Sequence, residues 1–226
     1  MCPQSGLAAT HSKPSQPHPD IDSIIPQTAV SKAAYAHAAS LLHPAILNHS
    51  IRVYLYAKAL AEHENSKYST DPQQHDLLVI ACLFHDIGTT ETYNGPQRFE
   101  VEGADAAVHH LSKHNVNKSD AHDVWTAIAL HTSPGIVERI GELARIVRIA
   151  VITDFGRESA AWEKPMLLRD QLEGRFERED IEKVLGDAVV RQAKRRPEKA
   201  PNVSWPYAMY MAWLAEPGWD GVNKAF

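Results

Sequence analysis

Only two cysteines occur in the 226 residues, Cys2 and Cys82. One lies in a Pro- and Ser-rich N-terminal stretch and the other in an apolar run, so no disulfide framework is available and a reducing compartment is expected. No uninterrupted apolar stretch approaches the roughly 20 residues needed to cross a bilayer, and the first residues lack the charged and apolar regions of a signal peptide. The expectation is a cytoplasmic protein with no membrane partner. Cationic excess is missing as well: the formal net charge is −5, which leaves no electrostatic footprint for a phosphate backbone and excludes nucleic acid as an expected partner. A small-molecule substrate fits better, and the acidic surface does not forbid a homo-oligomer. Also absent are a Gly-rich phosphate loop, a Ser-centred nucleophile elbow, paired CxxC motifs and internal repeats. No alternation of apolar and polar residues marks a strand.

What is present is helical periodicity. A hydrophobic share of 44% is enough for one sizeable core, so the expected fold is all-α with one main domain. The aperiodic opening "MCPQSGLAATHSKPSQPHPDIDSIIPQ" reads as a flexible N-terminal segment over residues 1–28, and a helical bundle is expected over 29–226. Within that bundle, residues 30–155 form the expected core and 156–226 supply C-terminal helices. Pro44 separates a helix ending near His43 from one reaching Glu64. Further helices are expected to end at His85-Asp86, to run from Phe99 to His114, to start at a Ser119 or Asp120 cap and end near His131, and to cover Glu142 to Phe155. Glu179 to Arg195 reads as a charged outer helix, and "SWPYAMYMAWLAEPGW" as a short apolar helix closing against the core.

Polar residues interrupt three of the apolar stripes. Ile46, His49, Val53, Tyr56, Ala57 and Leu60 recur at three- and four-residue steps, which points the His49 imidazole inward. In "HDLLVIACLFHDIG", Leu78, Ala81, Cys82 and His85 share a face, with Gly88 a natural stop after Asp86. Leu143, Val147, Ala150, Val151 and Asp154 form a third stripe, whose carboxylate sits at the negative end of the helix dipole and calls for a cation. Arg145, Arg148 and Arg157 are nearby partners for it. Taken together, two imidazoles and two carboxylates give a mixed N/O set that suits one divalent metal, zinc first, with iron or manganese as alternatives, and leaves positions for water.

The order His49, His85-Asp86, Asp154 on successive helices resembles the HD-domain superfamily of metal-dependent enzymes. The strings "LNHSIRVYLYA" and "ACLFHDIGTT" are similar to the cyanamide hydratase group within it. That resemblance implies an all-helical HD-domain bundle with a mononuclear zinc, held at His49, His85, Asp86 and Asp154, that adds water to a nitrile to make urea from cyanamide. Two departures from neighbouring branches sharpen it. Thr89 stands where many HD phosphohydrolases have a phosphate-binding lysine. Phe99 and Glu100 stand where two-metal members have a histidine before "GA", although His131 matches the position of the later one. A single metal is expected, with His131 in a supporting or acid/base role near the substrate.

The chemistry expected of such a site is hydroxide attack on an electrophilic carbon with proton delivery to nitrogen. Asp86 is expected both to bind metal and to orient water, Thr89 to donate to a small polar substrate, Thr90 to cap the loop or else to donate beside it, and Glu102 to serve as a wall or supporting base. Tyr93, Phe99, Trp125, Trp162 and Trp205 are candidates to line the pocket. Two other readings stand beside this one: an HD phosphohydrolase acting on a nucleotide or phosphate ester, and a non-catalytic binding or sensor module that keeps its metal for stability.

Overall fold

The computed structural model describes residues 18–157, 162, 165–216 and 218–224. Thr28 accepts a hydrogen bond from the Ser31 amide and starts α1 (Ala29–Leu41). Pro44 then opens α2 (Pro44–His63), where its missing N–H costs nothing. A single turn, α3 (Lys67–Thr70), leads to Asp71, which caps the amides of Gln73 and Gln74 at the head of α4 (Pro72–Phe84). Every residue of α4 from Asp76 to Phe84 is buried. The helix is apolar all round because neighbours surround it: α1, α2, α3, α5 (Phe99–Lys113), α6 (Lys118–Leu130) and α8 (Glu142–Asp154) all pack against it. The four-residue α7 (Val137–Ile140) connects α6 to α8. Beyond them come α9 (Pro165–Arg175), α10 (Ile181–Arg195) and α11 (Trp205–Ala215). The fold is all-α, with no strand among the described residues.

Two glycines let α5 lie directly on the turn that follows α4. A Cβ on Gly88 would sit 1.9 Å from the Phe99 carbonyl oxygen, and one on Gly103 would sit 2.9 Å from the Phe84 carbonyl oxygen. Gly88 therefore serves close backbone approach rather than a left-handed helix stop.

Several elements differ from expectation. Residues 1–17 lie outside the described residues, but 18–28, expected to be flexible, fold back: Ile21–Ser23 form a 3-10 turn, and Ile21, Ile24 and Ile25 are buried. Three isoleucines in five residues bury too much apolar surface to stay in solvent. The cap of α6 is Asn117, which accepts from the Asp120 amide at 2.9 Å, two residues before the expected Ser119. Helix α9 was not anticipated. The roles of the last two helices are reversed: the charged α10 buries Ile181, Leu185, Val189, Val190 and Gln192, whereas apolar α11 buries only Pro206 and Met209. A sharply segregated stripe drives burial more than average hydrophobicity does.

Candidate metal centre

Three imidazoles converge on one carboxylate, and each has its Nδ1 tied back to an oxygen. His85, at the C-terminal cap of α4, donates from Nδ1 to the Cys82 carbonyl at 2.7 Å. His131, at the cap of α6, makes the same bond to the Ile128 carbonyl at 2.7 Å. His49, in the middle of α2, donates from Nδ1 to Asp154 Oδ2 at 2.7 Å. An oxygen acceptor at Nδ1 fixes the tautomer, so all three Nε2 atoms present lone pairs inward. They meet around Asp86: His85 Nε2 lies 3.2 Å and His49 Nε2 3.6 Å from Oδ2, and His131 Nε2 lies 3.6 Å from Oδ1. His49 Nε2 and His85 Nε2 are 3.2 Å apart.

Burial makes this arrangement costly without a cation. His49 and His85 are fully buried, Asp86 is 1% exposed and His131 2%. Asp86 Oδ2 has no hydrogen-bond partner, although an orphaned buried carboxylate oxygen is expensive. Burial pushes the Asp86 carboxyl up, yet the charge of His85 and the imidazoles of His131 and His49 hold it well below the carboxylate range. Burial opposes a charged His85 too, but the charge and hydrogen bond of Asp86, the Cys82 carbonyl and the Asp154 charge together outweigh it and raise its proton affinity. The carboxylate thus demands positive charge, and donor atoms of His49, His85 and Asp86 lie within 4.8 Å of one another, as one metal ion requires. This donor set fits a divalent metal.

Asp154 occupies a different place from the three. Its carboxylate accepts from Arg52 Nε at 2.7 Å and from Arg52 Nη2 at 2.8 Å in a bidentate pair, and its Oδ2 also takes the His49 Nδ1 bond and faces Arg178 Nη1 at 3.7 Å. Burial pushes its carboxyl up, but the bonds from Arg52 and His49 prevail and keep it ionised far below the usual range. Burial lowers the proton affinity of His49 more than Asp154 raises it, which keeps that imidazole neutral. The cation expected opposite Asp154 exists, but it is Arg52. Arg145 pairs instead with Glu64, and Arg148 donates to the His131 carbonyl at 3.0 Å.

A cavity of about 10 Å³ adjoins the cluster, lined by His49, His85, Asp86, His131, Thr132, Arg148 and Trp205 among others. That is room for about one water molecule. Of the aromatic candidates, Phe99 stands edge-on to His131 with centroids 5.8 Å apart, and Trp205 packs on Phe99. Tyr93 hydrogen-bonds His37, Trp125 bonds Asp105, and Trp162 meets Tyr56. Thr89 and Glu102 are not brought to the cluster. The Thr89 hydroxyl donates to the Asp86 carbonyl at 2.7 Å and lines a separate cavity of about 290 Å³ with Thr90, Glu91 and Gln192. The turn requires that bond to close, which directs the side chain away. Glu102 accepts from the Gln97 amide at 2.8 Å and closes the 95–97 loop.

Sequence reasoning passed over Arg52, Thr132 and the roles of Arg148 and Glu100. Glu100 is fully buried, is gripped by Arg98 and accepts from the Thr132 hydroxyl at 2.7 Å. The one available signal for Arg52 was its three-residue step from His49, which places a charge on the inner face of α2.

Comparison with known proteins gives two findings. Residues 46–154 match the HD domain family model. A stretch of 66 residues is 32% identical to the cyanamide hydratases DDI2 and DDI3 of Saccharomyces cerevisiae, covering 29% of this chain and 28% of each relative.

Proposed function

This chain belongs to the HD domain superfamily, and from that premise we propose that it is a metal-dependent hydratase that adds water to a small neutral substrate with an unsaturated C–N bond, cyanamide giving urea. The observation that carries this reading is Asp86 Oδ2, buried without a hydrogen-bond partner among imidazole Nε2 atoms. His49, His85 and Asp86 hold the ion, zinc by preference, and His131 completes the set through Nε2. Asp154, which the family resemblance implied as a ligand, is assigned to His49 as its carboxylate partner.

A bound divalent ion supplies hydroxide near neutral pH, since it lowers the pKa of water to about 7. The chain's own residues do the rest. Val151, Phe155, Leu185 and Trp205 give the cavity an apolar wall that limits bulk water, which strengthens every charge interaction inside it. Water adds with its oxygen bonding to the nitrile carbon as one C–N π bond breaks, and its proton ends on nitrogen; the isourea so formed tautomerises to urea. Arg148, 6% exposed in the cavity wall, meets the negative charge that develops on nitrogen.

The small cavity supports a substrate of a few atoms. The competing phosphohydrolase reading draws on the same Arg148, but Thr89 in place of lysine and about 10 Å³ of space weigh against a nucleotide. Metal analysis of purified protein, followed by urea release from cyanamide with wild type and Asp86→Ala, tests the proposal. Metal retained with no urea sinks cyanamide as substrate; phosphate release from a nucleotide panel replaces it with the second reading; absence of metal ends both.

A further inference from the structure

Arg52 is a fully buried guanidinium whose hydrogen bonds account for all three of its nitrogens. Two of them clasp Asp154. The third, Nη1, donates to the carbonyls of Phe176 at 2.9 Å and Glu177 at 3.2 Å. The same short segment is tied to the centre twice more: Asn48 Nδ2 donates to the Glu177 carbonyl at 3.0 Å, and Arg178 Nη1 to the Asp154 carbonyl at 2.8 Å. Residues 176–178 lie between α9 and α10, outside the matched segment 46–154.

An ion pair built for stability alone would be complete with Arg52 and Asp154. Here the carboxylate carries a third bond, to His49 Nδ1. His85 and His131 each find their Nδ1 acceptor three residues back in their own helix, because they sit at helix ends where carbonyls are left over. His49 lies inside α2, where backbone carbonyls are already engaged, so its acceptor must come from another helix. That acceptor is a carboxylate on a side chain free to rotate, and something must hold it.

We propose that Arg52, anchored by the carbonyls of residues 176–177, is a positioning residue that sets the metal affinity of the centre by holding Asp154 on His49 Nδ1. This rests on the metal-centre reading above. Lysine cannot replace Arg52, because a single ammonium does not grip both carboxylate oxygens in one plane. Once released, Asp154 rotates, His49 samples the other tautomer, and the Nε2 lone pair no longer faces Asp86.

The test is a Zn²⁺ affinity measurement on the full chain, by competition with a chromophoric chelator, for wild type, Arg52→Lys, Asp154→Asn and the surface control Arg145→Ala. Nitrogen-15 NMR of metal-free protein reports the His49 tautomer in parallel. Arg52→Lys and Asp154→Asn are expected to weaken zinc binding by about 10–100-fold, with His49 passing from Nδ1-protonated to a mixture, while Arg145→Ala leaves both readouts unchanged. A merely structural role would lower the melting temperature and leave the affinity and tautomer of the folded protein alone. Wild type that binds zinc while folded Arg52→Lys binds it within about twofold overturns the inference and spares the centre. If Arg52→Lys fails to fold, Asp154→Asn and the wild-type tautomer decide: unchanged affinity in the former, or Nε2 protonation in the latter, overturns it. Wild type that takes up no zinc removes the centre itself and the inference with it.

Discussion

Asp86 and Glu100 are both buried carboxylates on neighbouring elements, and their surroundings are opposite. Glu100 is gripped by Arg98 through two nitrogens, one at 3.0 Å, and accepts from Thr132. Asp86 has three imidazoles around it and an oxygen with no hydrogen bond. The protein has arginine to spare for burial, since Arg52 answers Asp154 in the same way. Leaving Asp86 without one is therefore informative: a carboxylate satisfied by the chain holds the fold, whereas one left open amid imidazole nitrogens is kept for a cation from outside. The contrast also bears on metal number, because Glu100 stands at the slot where two-metal relatives were expected to place a histidine, and its bonds to Arg98 and Thr132 leave it no role as a ligand.

Substitution at the two carboxylates should separate these roles most sharply. Asp86→Ala is expected to reduce bound metal from about one ion per chain to near none, and urea release to background, as read by elemental analysis and colorimetric assay. Glu100→Ala should do the reverse: it leaves a partly exposed Arg98 and a buried Thr132 without their acceptor, for a loss of about 2–3 kcal/mol in urea denaturation, while folded protein retains its metal. If Glu100→Ala loses the metal while folded Asp86→Ala keeps it, the contrast is inverted.

Acid titration gives a smaller effect. The Asp154 carboxyl is held below its unfolded value near 3.9, so the stabilisation it provides is fully present above about pH 4 to 5 and drains away as pH falls through the folded value. Asp154→Asn should flatten the acid limb of stability against pH by about one proton in slope, measured by denaturation of metal-free protein between acid and neutral pH. Thr132→Val, which removes one hydrogen bond to Glu100, should cost about 1 kcal/mol with metal content unchanged. The Arg145 and Glu64 pair is partly exposed on both sides, and Glu64→Gln should shift stability by less than about 1 kcal/mol, with the shift shrinking as salt rises.

Much of the scaffold was legible in periodicity and caps. The apolar steps around His49, His85 and Leu143 placed α2, α4 and α8 within a residue or two and turned the right polar groups inward. The ends of the chain were less legible. Helix α11 is more apolar than α10, yet it is α10 whose segregated stripe packs against α2 and the turn after α4. Residues Thr89 and Glu102 were near the motif along the chain, but loop closure claimed both side chains.

Local spacing determined that His49, His85 and Asp154 face the interior, because a helix of fixed pitch leaves a side chain little choice of face. Which nitrogen His49 presents, and which partners Asp154 and Thr132 meet, was decided only by contacts between segments far apart: His49 and Asp154 are 105 residues apart in the chain, Arg52 and Asp154 102, and Glu100 and Thr132 32. A repeat of 3.6 residues specifies direction within one helix; it carries no information about the partner a second helix will bring.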